Sequence, residues 1–189
     1  NQNVQDHVAW NWKGGGTGVA NTNGSISSTV SASATSGFSI IKYTGSGANA
    51  TVGHGLSTAP KMIIVKSPSI ADDGWYVWNT AYSTSNNKYQ RLEQAGTLGT
   101  GSTFWNDTAP TTSTISVGTS TGVNQNGQTY ICYAFADVKG FSQIGGYTGN
   151  ANADGTFVYT GFKPAFVMFK ATASNESWQI YDTKRNPFN

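Results

Sequence analysis

Shifted against itself by about a hundred residues, the chain meets its own pattern. Gly37-Phe38-Ser39 falls on Gly140-Phe141-Ser142, and Tyr43-Thr44-Gly45 falls on Tyr147-Thr148-Gly149 with one residue inserted. Gly55-Leu56, Pro60 and Met62-Ile63-Ile64-Val65-Lys66 meet Gly161-Phe162, Pro164 and Phe166-Val167-Met168-Phe169-Lys170. Then Trp75-Tyr76-Val77-Trp78-Asn79-Thr80 meets Trp178-Gln179-Ile180-Tyr181-Asp182-Thr183. Chance similarity in a chain rich in Ser and Thr matches Ser and Thr. Here aromatic, Pro and Gly landmarks agree in order and spacing, so we read a duplicated module of about a hundred residues.

A third, partial copy stands at the amino end, where His7-Val8-Ala9-Trp10-Asn11-Trp12 reads like Tyr130-Ile131-Cys132-Tyr133-Ala134-Phe135. In a strand, alternate side chains share a face. Val8, Trp10 and Trp12, like Ile131, Tyr133 and Phe135, put bulk on one face, and Ala9, Cys132 and Ala134 leave the other thin. The chain therefore divides into a closing strand of a preceding or neighbouring unit (1–13), a Gly/Ser/Thr/Asn-rich linker (14–36), a complete repeat (37–137) and the first half of a second repeat (138–189). Two explanations compete for the missing half. The favoured one is a window of a longer polypeptide with more copies. The other is strand exchange, with segment 6–13 completing a neighbour's half-built unit through Val8, Trp10 and Trp12. One strand does not replace all the segments that are missing.

Charged residues reach only 11% while hydrophobic residues reach 37%, enough for a core beneath a polar, nearly uncharged surface. Such a chain favours short strands and tight turns. The expected class is all-β, tandem antiparallel β-sandwich units joined by Gly/Ser/Thr/Asn-rich linkers. Strands are expected at 38–43, 50–52, 62–66, 75–79, 88–94 (an edge), 103–105, 113–117 and 130–136. The stretch 62–66 is apolar on both faces and belongs in the centre of a sheet covered on both sides. Trp75 and Val77 share a face, read as the core face.

Little in the sequence points to chemistry. The acids are isolated apart from Asp72-Asp73, and neighbours in a strand point to opposite faces, so no carboxyl pair for glycan hydrolysis is expected. His7 and His54 stand at no motif spacing from a nucleophile. Asp72-Asp73-Gly74 and Asn152-Ala153-Asp154-Gly155 lack the alternating oxygen ligands of a calcium loop. No catalytic residue, cofactor or metal ligand is assigned. A net charge of +2, thinly spread, leaves no basic stripe for nucleic acid, and no apolar run is long enough to span a membrane. Cys132 has no partner for an internal disulfide and reads as a small core residue. Aromatic residues are the abundant resource. Tyr76, Trp78 and Tyr181 face away from the Trp75 side and are the candidate platform for a glycan or for an interface between units.

The phrases Val8-Ala9-Trp10-Asn11-Trp12-Lys13-Gly14-Gly15, Gly37-Phe38-Ser39-Ile40, Ala50-Thr51-Val52-Gly53-His54-Gly55-Leu56, 60–66, Phe104-Trp105-Asn106-Asp107-Thr108, 157–162 and Tyr181-Asp182-Thr183 together carry a resemblance. The chain resembles the repeat region of structural and tail-fibre-like proteins of aquatic bacteriophages, a domain family without assigned chemistry. The resemblance implies a non-enzymatic structural protein on a virion or outside the cell. Because half a unit leaves unpaired strand edges and bare aromatic faces needing cover, we expect a repeat subunit of an extracellular fibre or virion appendage. Its partners would be copies of itself, joined end to end through shared or donated strands. The alternative is a glycan-binding adhesin or tail-spike module that takes cell-surface glycans.

Overall fold

The computed structural model describes residues 9–71, 73–82 and 85–184. Its elements are β1 (Val19–Asn21), β2 (Ser28–Ser33), β3 (Phe38–Thr44), β4 (Ala50–Gly53), β5 (Met62–Lys66), β6 (Tyr76–Asn79), β7 (Lys88–Arg91), β8 (Gly99–Thr100), the single turn α1 (Ser102–Trp105), β9 (Thr114–Val117), the single turn α2 (Thr121–Asn124), β10 (Thr129–Phe135), β11 (Phe166–Phe169) and β12 (Gln179–Asp182). The chain is all-β, as expected. Eight strands form one sheet in the order β1-β2-β3-β10-β5-β6-β7-β8, with β4–β9 and β11–β12 as separate pairs.

Strand alternation decides which residues meet across the layers. On the inner face, Val30, Ile41, Tyr43, Ile63, Val65, Trp78, Tyr130, Cys132 and Ala134 pack with Val52, Ile115 and Val117 of the β4–β9 pair, and with Trp105 and Val123 of the two helical turns. This gives the sheet-on-sheet packing of a β-sandwich. Cys132 and Ala134 are fully buried, and their small size lets the second layer approach the sheet centre. Burial also raises the Cys132 thiol well above its ordinary pKa. Tyr43 donates to Val123 O at 2.6 Å, and Tyr130 Oη accepts from Gln125 N at 2.8 Å. Buried Asn124 spends both kinds of amide atom: Nδ2 donates to Ala48 O and Gly118 O, and Oδ1 accepts from Ser46 N at 2.7 Å. No polar group of that side chain is left to destabilise the layer.

Burying β5 on both faces, expected from its composition, is what the sheet does: Ile63 and Val65 face inward, and Met62 and Ile64 belong to a second cluster with Val77 on the other face. Thus the Trp75–Val77 side is one of two covered faces, and the larger core lies behind Trp78.

Several local expectations need correction. The segment 14–36, expected as a linker, carries β1 and β2, which pair with each other and with β3. Its inner row is Ser28, Val30 and Ala32, so small residues hide the apolar alternation. Ser28 nevertheless donates to Gly53 O at 2.9 Å and ties the strand to β4. Residues 103–105 form α1 and not a strand. Asn106 ends that turn in the left-handed region at φ 51°, returning its N–H to Ser102 O. The turn aims Trp105 inward, where Nε1 donates to Lys88 O at 3.1 Å. The expected edge 88–94 contracts to β7 and is flanked by the two-residue β8. No helix among the described residues is long and apolar enough to cross a membrane.

Candidate functional site

The site begins with two hairpins. β5 and β6 pair Met62 with Asn79, Ile63 with Trp78, Ile64 with Val77 and Val65 with Tyr76. β11 and β12 pair Phe166 with Asp182, Val167 with Tyr181, Met168 with Ile180 and Phe169 with Gln179. Under the internal alignment these are the same four pairs. A one-residue slip would have reversed the faces of one strand.

The hairpins differ in cover. β11–β12 turns Met168, with the neighbouring Trp178, toward the outer face of the large sheet, where both pack against the Met62, Ile64 and Val77 cluster beside Trp75, Tyr133 and Phe135. Trp178 Nε1 donates to Arg91 O at 3.0 Å, and Gln90 Nε2 donates to Ala171 O at 3.1 Å. Leu98 N–H donates to Thr172 O at 3.0 Å. These bonds seat the hairpin over β7. Its other face carries Val167, 41% exposed, and Tyr181, 45% exposed, with Phe169 stacked on Tyr181 at 5.9 Å. The matched residues in the first hairpin, Ile63 and Trp78, are 1% and 6% exposed.

Other exposed rings follow the same correspondence. Val158 matches Val52, which is fully buried in the inner core, yet Val158, Phe157 and Tyr159 stand open around a hollow of about 450 Å³. Phe141 and Tyr147 match buried Phe38 and Tyr43, and both are exposed. Val158, Phe141, Tyr147, Val167 and Tyr181 were each identifiable by asking which buried residue they match. Sequence reasoning had singled out only Tyr181 among them.

Of the candidate assembly residues, Val8 lies outside the described residues. Trp10 and Trp12 are described and partly exposed, and residues 9–13 form no strand. Trp12 lies 5.9 Å from Phe135, 6.4 Å from Phe38 and 5.6 Å from Phe166, and Trp10 lies 5.8 Å from Phe166. The structure thus brings both to the edge of the β11–β12 hairpin. The candidate platform of Tyr76, Trp78 and Tyr181 is not assembled. Trp78 is in the inner core because α1, α2 and β9 cover that face. Tyr76 is half-buried among Tyr89 and Phe104 beneath the Arg91 guanidinium, 5.5 Å from its ring. Tyr181 alone reaches the surface.

Polar groups here have local roles. Glu93 pairs with Arg91 at 2.6 Å and accepts from Trp75 N–H at 2.9 Å. Asp137 accepts from Ile144 N–H, and the side chains of Asn150 and Asn152 close successive turns in the loop through Asp154. Among the described residues no three His, Cys, Asp or Glu side chains converge to hold a metal ion. His54 is fully buried. Its Nδ1 accepts from Leu56 N–H at 3.1 Å and its Nε2 faces Thr111 O at 3.2 Å, which fits a neutral ring protonated on Nε2. Burial lowers its pKa, against the smaller upward effect of the Thr111 bond.

The family described as a domain of unknown function, DUF7483, matches residues 1–189, and the chain belongs to it. No curated protein and no solved structure matches.

Proposed function

We propose that this DUF7483 chain is a non-enzymatic structural protein, a β-sandwich repeat subunit of an extracellular fibre or virion appendage that assembles with copies of itself. One observation carries the reading. The β11–β12 hairpin repeats the β5–β6 pairing residue for residue, yet the face that β5–β6 buries is bare on β11–β12. An exposed apolar sheet face with exposed aromatics beside it is a surface for association. The correspondence also supports the duplication and a division into a complete unit over 37–137 and an opening half over 138–189, with the qualification that β1 and β2 join the complete unit's sheet. Electron microscopy of the purified protein tests the reading: filaments or end-to-end oligomers are expected, and a dispersed, stable 20.0 kDa monomer overturns it.

A second reading, a glycan-binding adhesin or tail-spike module, draws on the exposed rings of Tyr159 and Tyr181, since flat, partly wetted aromatics stack on sugars. A glycan array comparing the chain with Tyr181→Ala tests it. Loss of a specific signal on substitution favours this reading, and an array without signal removes it.

A further inference from the structure

The ladder between β7 and β8 stops early. It pairs Lys88 with Thr100 and Tyr89 with Gly99, and the same register carried on would set Leu98 against Gln90 and Thr97 against Arg91. The chain before Gly99 is held elsewhere instead. Leu98 N–H donates to Thr172 O at 3.0 Å, and Lys170 Nζ donates to Ala95 O at 3.3 Å. With its return segment drawn aside, β7 borders a hollow of about 210 Å³ whose walls lie between Tyr89 and Gly99, inside the first unit.

Gln90 is the most buried residue of those walls, 2% exposed, and its side chain is half satisfied. Nε2 donates to Ala171 O at 3.1 Å. A carbonyl only accepts, so the amide orientation is fixed and Oε1 is left as the free end. Oε1 is buried and has no hydrogen-bond partner among the described residues. An unpaired buried acceptor is costly, and such groups are ordinarily bonded, so the hollow is where a donor belongs. One water would serve the bond but not the space, since its share of liquid volume is about 30 Å³. A pocket for a drug-sized molecule begins at about 300 Å³. The hollow is the size of a single ring.

Charge and shape narrow the class. The Arg91 guanidinium is spent on Glu93, at 2.6 Å, and on the Tyr76 ring, and the lone pairs of Gln90 Oε1 repel an anion. Gln94 and Thr97 are exposed at the rim and offer neutral groups that both donate and accept. At Gly96 the space is open, with nothing within 4 Å of an added Cβ. Tyr89 offers no free stacking face: Phe104 stacks on it at 4.0 Å, and Gly99 lies so close that a Cβ there would come within 2.6 Å of the ring. Recognition here runs through hydrogen bonds.

We infer that this hollow binds one neutral hexose ring of a glycan, with a sugar hydroxyl donating to Gln90 Oε1 and neighbouring hydroxyls meeting Thr97 and Gln94. A hydroxyl both donates and accepts, as an acceptor floor and a mixed rim require. The inference rests on the glycan reading above and gives it a site away from Tyr159 and Tyr181.

The test is a titration of the nitrogen-labelled chain, followed by amide chemical shifts, with the methyl glycosides of glucose, galactose and mannose. Glucuronate and glycerol serve as comparisons. One neutral glycoside should move the amides of Gly96, Thr97 and Gly99 and the side-chain amide of Gln90, saturably and in the millimolar range expected of a single ring. Thr97→Trp puts bulk at the exposed rim and should remove those shifts while the rest of the spectrum is kept, and Tyr181→Ala should leave them in place. The titration of the unaltered chain decides even where a variant fails to fold. A response to glucuronate alone overturns the neutral class, and an equal response to glycerol overturns the ring. Shifts centred on Tyr159 or Tyr181, with 96–99 still, overturn the inference and leave the glycan reading standing. If no glycoside moves 96–99 the hollow is not a sugar site, and the array then decides the glycan reading by itself.

Discussion

Two hairpins in this molecule have one register and opposite surroundings. In β5–β6 both faces are covered, and Ile63, Val65, Val77 and Trp78 are buried. In β11–β12 one face rests on the large sheet and the other holds Val167 and Tyr181 in the open. The pairing is therefore the same with one face covered as with two, and the layer of α1, β9 and α2 supplies the burial of the second face. The comparison separates what a strand pair specifies from what its neighbours stabilise.

The largest test of that separation is matched truncation. Trp78→Ala should cost about 3–5 kcal/mol, the usual range for removing a large core aromatic. Tyr181→Ala at the matched position should fall within about 0.5 kcal/mol of the parent, as exposed substitutions do. Urea unfolding followed by far-ultraviolet circular dichroism reads both, and equal losses would break the comparison.

Removing one hydrogen bond gives a smaller change. Trp178→Phe keeps most of the ring against the second cluster and deletes the donor to Arg91 O, so a loss of about 1 kcal/mol is expected, with faster amide exchange in β11–β12 than in β5–β6. Uniform acceleration in both hairpins would mean they open as one unit.

Acid should act on one region only. His54 is neutral and buried, with its pKa lowered by burial. The unfolded chain therefore takes up a proton as pH falls through about 6.5, while the folded chain resists it. Stability from this group is fully present above that pH and declines below it, until the folded pKa is reached. Its matched residue is Thr160, which does not titrate. Hydrogen exchange at pH 5.5 should loosen β4 and the 109–113 loop while leaving β11–β12 unchanged, and His54→Ala should abolish the difference between pH 5.5 and 7.5.

The smallest expected effect is Val167→Lys. As a substitution on the open face it should move monomer stability by less than about 0.5 kcal/mol, while sedimentation velocity should report weaker self-association.

The β5 strand was legible because an uninterrupted apolar run, 62–65, has no other place than a sheet covered on both sides. The correspondence of 62–79 with 166–182 was legible because Pro, Trp and aromatic landmarks are rare enough to align without ambiguity. What escaped was polar or short. β2 hides Val30 between Ser28 and Ala32, so no alternation of size marks it. α1 is a single turn whose Phe104-Trp105 pair has strand composition, and its left-handed Asn106 decides the matter. Trp78 was read as an exposed platform because strand alternation tells which residues share a face but not which face meets the larger layer. The central place of β10 needs the order of the sheet, since β3, β10 and β5 become neighbours only when distant segments meet.

That order has a kinetic consequence. β10 is the last strand of its unit to be made, yet it occupies the middle of the sheet and joins β3 to β5. At about 5–20 residues per second of synthesis, roughly sixty residues separate β5 from β10, so the ribosome releases an open-centred sheet for about 3–12 s before its keystone arrives. Throughout that interval the nascent chain offers chaperones and neighbouring polysomes the vacancy that β10 later fills.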